Sequence, residues 1–110
     1  MGAPTEQIAR VASTQLGPED HGIFTADIRL DFGGSMQGCG GYDLRHGESC
    51  FRFINGVLRV CRVQSWEQVK GTTVYALIDE NHMVCGLRSL PFGGDQQEFL
   101  FRSIYDEASK

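Results

Sequence analysis

Between Ile23 and Phe32 the side chains alternate in character. Phe24, Ala26, Ile28, Leu30 and Phe32 fall on one face, and Ile23, Thr25, Asp27, Arg29 and Asp31 on the other. A period of two predicts a strand with one buried face. Upstream, Ile8, Val11 and Leu16 mark a first strand over Gln7–Leu16, and the Gly17–Gly22 stretch between them is rich in turn formers. The two strands read as a hairpin. From Ser49, a predicted N-cap, the period becomes helical. Phe51, Ile54, Leu58 and Cys61 share one stripe, which Phe53, Val57 and Val60 widen.

Ser65-Trp66-Glu67-Gln68 has the spacing of a capping box, with Gln68 reaching back to Ser65. It predicts a short helix from Trp66 to about Val69 that ends at Gly71. Thr72–Ile78 and Met83–Leu87, joined by the turn Asp79–His82, predict a second hairpin. Gln96–Glu107 reads best as a helix with Phe99, Leu100 and Ile104 inward, although Glu98–Ile104 also alternates as a strand would. These elements predict an α+β fold over residues 1–110. Its antiparallel sheet has about four to five strands, with one main helix and a short helical turn on one face. Residues 1–5 and 106–110 read as frayed ends.

The feature outside both periods is the run Gly33–Gly41, with five glycines in nine residues. Such a run permits positive φ and close backbone approach, and its N–H groups can form an anion-binding nest. It reads as a tightly turning loop, with Tyr42-Asp43-Leu44 as a short strand leaving it. No Gly-Lys-Ser/Thr follows, so it is not a P-loop. Gly33, Gly34, Ser35, Gln37, Gly40, Gly41 and Tyr42 are the candidate binding residues here. Trp66, the single Trp, is a further candidate anchor, set against plain packing of the short helix. Phe92 and Phe101, near the second Gly-Gly pair, are weighed the same way.

Net charge is -4 and no basic stripe is evident, which disfavours direct binding of nucleic acid. An acidic surface instead suits a basic protein surface. No apolar run of membrane-spanning length occurs, and the first residues lack a signal-peptide pattern, so the cytoplasm is expected. Cys39, Cys50, Cys61 and Cys85 form no Cys-x-x-Cys pair and read as free thiols. Cys39, His46, Cys50 and Cys61 lack the paired spacing of a structural zinc site. Asp20-His21 with Ser35 or Cys39 is a combination that any small protein offers.

Leu16–Thr25, Asp31–Leu44 and Ser65–Glu67 together resemble small proteins of unassigned function encoded by bacteriophages and prophages. Their shared pattern is a strand ending in a Gly-Gly-Ser-x-Gln-Gly-x-Gly-Gly-Tyr loop, then a helix leading to a Ser-Trp-Glu turn. The resemblance covers roughly residues 14–71. Cys39 stands where that pattern has an aromatic residue, and the stretch after Leu44 is shorter. It brings no catalytic residues with it. It implies a phage accessory protein in the host cytoplasm, with a host protein as partner, for example a CRISPR–Cas or other defence complex. The expectation is a non-enzymatic inhibitor without metal or cofactor that acts by protein–protein contact. A homodimer fits that reading. The alternative is a protein that sequesters a nucleotide in the Gly-rich loop.

Overall fold

The computed structural model describes residues 3–18, 21–41 and 47–104. One antiparallel sheet dominates, built from β1 (Thr5–Pro18), β2 (Phe24–Asp31), β3 (Met36–Gly40), β4 (Thr73–Ile78), β5 (Val84–Arg88) and β6 (Glu98–Leu100). The strand order is β3-β2-β1-β4-β5-β6. A single long helix, α1 (Gly47–Cys61), packs against β2, β4, β5 and β6. A 3₁₀ turn at Trp66–Gln68 leads from it to β4.

The α+β class and the antiparallel sheet follow the pattern of the sequence, but the sheet has six strands rather than four to five. The excess has two sources. Met36–Gly40, inside the glycine run, is not loop but β3, paired with β2 from Asp27↔Gly40 to Asp31↔Met36. The segment expected to be a C-terminal helix instead forms β6, followed by a helical turn over 102–104. Its periodicity fits either state, and tertiary packing decides. As a strand, it sets Phe99 and Phe101 against Phe53 of α1, with ring centroids 6.3 and 6.0 Å away. Phe99 and Ile104 are buried as expected, and Phe101 is core rather than an exposed anchor. The expected strand at Tyr42–Leu44 lies outside the described residues, as does the end at 106–110. Thr5, placed in the frayed start, opens β1.

β1 is long because it serves two partners on opposite edges. Thr5–Arg10 pairs with β4, and Arg10–Pro18 pairs with β2 across a bulge between Val11 and Ser13. Two half-sheets therefore meet on one strand, offset along it. The sheet coils so far that Gln37 of β3 bonds the backbone of Val84 on β5, although β2, β1 and β4 lie between them. Twist of one hand accumulating from strand to strand produces this curl. Val11, Ala26, Ile28, Leu30, Val74, Ala76 and Leu87 line the inner face. Leu77 is also buried, but its register with Glu6 and Gly86 places it on the outer face.

α1 begins at Gly47, so Ser49 lies in its first turn rather than capping it. Its buried stripe is centred on Cys50, Phe53, Gly56, Val57 and Val60, and Phe51 points outward. The rotation has a cause at Gly56. A Cβ there would lie 2.5 Å from the Phe99 ring, so the helix can press this face on β6 only with glycine at that position. The roughly 1 kcal/mol that a mid-helix glycine costs is offset by that close packing.

Candidate functional site

The residues singled out in the glycine run separate into two places. Gly33, Gly34, Ser35 and Gln37 lie at the β2–β3 turn and the start of β3. The turn closes on itself: Phe32 N donates to Ser35 O (2.9 Å) and Gly33 N to Asp31 Oδ1 (2.8 Å). Beside it is an open cleft of about 300 Å³, walled by Phe32, Ser35 and Gln37 on one side and by Ile78 and His82 on the other, with Gln7 also in the lining. Gln37 is the latch of the coil here. Its Oε1 accepts from Val84 N at 2.8 Å, at the end of β5 that β6 leaves uncovered.

Gly40 and Gly41 are at the other end of β3 and serve packing. Gly40 has φ +102°, and a Cβ on it would lie 2.6 Å from both Ala26 O and the Phe53 ring. Gly41 N donates to Ala26 O at 2.6 Å. Tyr42 lies outside the described residues. Trp66 joins neither place. It packs on the core, with its indole Nε1 buried and without a hydrogen-bond partner among the described residues. The capping arm predicted for it is present, since Gln68 Oε1 accepts from Ser65 N at 3.0 Å.

A second arrangement escaped the sequence reading. α1 ends in a Schellman motif, with Val63 N donating to Leu58 O (3.1 Å) and Arg62 N to Arg59 O (3.2 Å). The left-handed residue of that motif is usually glycine, but here it is Arg62, at φ +58°. A non-glycine residue there is under backbone strain. Its side chain gives the reason. The guanidinium donates to four carbonyls of one loop: Leu90 O at 2.8 Å, Gly94 O and Asp95 O at 3.0 Å each, and Phe92 O. Ser89 closes the neck, with its Oγ donating to Val60 O (2.7 Å) and accepting from Gln97 N (3.1 Å). The loop is thus tied to the end of α1 at two points. At its tip stands Phe92, 68% exposed. Strain at one residue serves to fix a surface aromatic, the pattern in which an outlier points to function.

The outer face of the sheet carries paired charges. Arg88 of β5 bridges Glu98 of β6 and Glu6 of β1, and those two contacts raise its pKa further. Arg10 and Asp31, opposite each other in register, are 3.9 Å apart. All four cysteines are free. Burial, with Asp27 adding to it, pushes the Cys39 thiol up to about 12, so it stays protonated at neutral pH and is a poor nucleophile. Among the described residues no group of three or more His, Cys, Asp or Glu is placed to hold a metal ion, and no helix is long and apolar enough to cross a membrane. Comparison of the chain with protein-family models, with curated proteins and with solved structures finds no match, so its function is argued from this geometry.

Proposed function

We propose that this chain is a binding protein that acts by contact with another protein, with Phe92 as its anchor. The observation that carries the reading is the Arg62-held loop. Binding energy concentrates in a few aromatic anchors, and an anchor that is already fixed loses little entropy on association. Four donor contacts spent on one surface loop make Phe92 such an anchor. The net charge of -4 favours a partner with a basic surface, as nucleic-acid-handling proteins have. The resemblance to phage-encoded proteins directs that partner to a host defence complex of the CRISPR–Cas kind, with the chain as its inhibitor.

The test is affinity capture from host lysate, followed by titration of the captured protein with wild type and Phe92→Ala. A single partner whose dissociation constant rises about tenfold or more on loss of Phe92 is the expected result. Equal affinity for both forms, or no partner, defeats it.

The cleft beside Gln37 favours a second reading, sequestration of a small planar ligand such as a nucleotide. Phe32 offers a partly buried ring, and Gln7, Ser35 and His82 offer hydrogen-bonding groups around it. Calorimetry against cyclic and linear nucleotides decides it, since silence across the set removes the reading.

A further inference from the structure

A larger cavity, of about 450 Å³, lies between the start of β1, the β4–β5 turn and the chain leaving β6. We propose that it binds a free α-amino acid with a large apolar side chain. This inference stands apart from the partner surface at Phe92 and from the cleft at Gln37.

The lining is apolar for the most part, from Pro4, Val84, Leu100 and Phe101, and the volume is in the range of small-ligand pockets. Its back wall is rigid. Phe101 is locked in the three-ring cluster, with its centroid 5.4 Å from Phe99 and 6.0 Å from Phe53, and its N–H donates to Cys85 O at 3.0 Å. Cys85 itself is the extra residue of a β-bulge, because Ile78 pairs with Val84 while Leu77 pairs with Gly86. A bulge re-aims a side chain next to a site, and Cys85 is in the cavity lining.

Two charges of opposite sign complete the lining, Asp79 and Arg102. Both act on the Cys85 thiol, which burial raises first, Asp79 next, while Arg102 lowers it. The carboxylate, the guanidinium and the thiol thus line one cavity. Asp79 is fixed, since its Oδ1 accepts from Asn81 N (2.8 Å) and Met83 N (3.1 Å), and its other oxygen carries no bond from a described residue. A ligand that fits must bring a cation to Asp79, an anion to Arg102 and an apolar body to Pro4, Val84, Leu100 and Phe101. A carboxylic acid alone would place a like charge near Asp79, and an amine alone would place one near Arg102. A zwitterion with an apolar side chain meets all three demands.

Titration calorimetry of the full chain with L-leucine and L-phenylalanine reads this directly. The controls are the amino acid amides, which lack the carboxylate, and the N-acetyl forms, which lack the ammonium. Saturable binding is expected for the parent amino acids, weakened about tenfold or more in each control. Arg102→Gln should bring acid and amide to equal affinity. The ligand should also slow alkylation of Cys85 by iodoacetamide, followed by peptide mass spectrometry. No saturable binding up to about 10 mM overturns the proposal. So does equal binding of the amide to wild type, or binding that leaves Cys85 alkylation and the Arg102→Gln variant unaffected.

Discussion

Phe32-Gly33-Gly34-Ser35 and Phe92-Gly93-Gly94-Asp95 are near copies in sequence and opposites in structure. In the first, the turn is closed by its own neighbours, Asp31 and Ser35, and Phe32 folds inward against the core. In the second, the loop carbonyls are held by Arg62 from another element, and Phe92 is turned to solvent. The hydrogen bonds that close the first turn, from Phe32 N and Gly33 N, stay within its own hairpin. The second is held by a residue about thirty positions away that pays a conformational penalty to be there. Two glycines permit both outcomes; what surrounds them chooses.

The largest effect should come from cutting the distant tie. Arg62→Met keeps the apolar stem and removes every donor to the loop. The freed carbonyls are near solvent and can rehydrate, so the cost is well below four full hydrogen bonds, at about 2–3 kcal/mol in urea unfolding. Arg62→Gly loses the same bonds but relieves the left-handed backbone, and should lie about 1 kcal/mol above the Met variant in stability. Hydrogen exchange should speed up over residues 90–97 in both, with the β2–β3 turn unchanged. If the Met and Gly variants are equally stable, Arg62 is not strained.

The next effect separates the two aromatics. Phe32→Ala removes a half-buried ring from the core and should cost about 1.5–3 kcal/mol. Phe92→Ala removes an exposed one and should stay within about 0.5 kcal/mol of wild type. Thermal unfolding of the two variants side by side checks this. A Phe92→Ala variant as unstable as Phe32→Ala would mean that the ring serves the fold and not a partner.

The same contrast explains what was legible in the chain. Where local signals agree, the reading holds: the β1–β2 hairpin, α1, the Gln68 arm of the capping box and the β4–β5 hairpin all come from period and turn chemistry. Where the decisive contact is distant, it fails. Gly38 and Gly40 carry no strand propensity, yet β3 forms because β2 offers it an edge and Phe53 occupies the space of a Gly40 side chain. β6 is a strand because Phe53 and Gly56 of α1 receive Phe99. Gln37, a candidate binding residue of a tightly turning loop in the sequence, proves to latch the coiled sheet. Nothing adjacent to Arg62 signals the loop that it holds. The absence of a glycine after α1 was the available clue, since a helix end that takes arginine in the left-handed position needs that side chain.

The smallest effect tests whether the first turn is truly self-sufficient. Asp31 has two contacts: the 2.8 Å bond from Gly33 N and the 3.9 Å pair with Arg10 across the strands. Asp31→Ala should cost about 0.5–1 kcal/mol in total, because the turn is exposed and water replaces part of both. Salt divides the two shares. An exposed ion pair is screened as ionic strength rises, whereas the short bond to a backbone N–H is less so. Asp31→Asn keeps an acceptor for Gly33 and loses the charge, so at low salt it should fall between wild type and alanine. In about 1 M salt the Asn variant should approach wild type while the alanine variant stays below both. If salt erases the alanine deficit as well, the pair with Arg10 and not the Gly33 bond closes the turn, and the first loop also depends on a residue beyond its own hairpin turn.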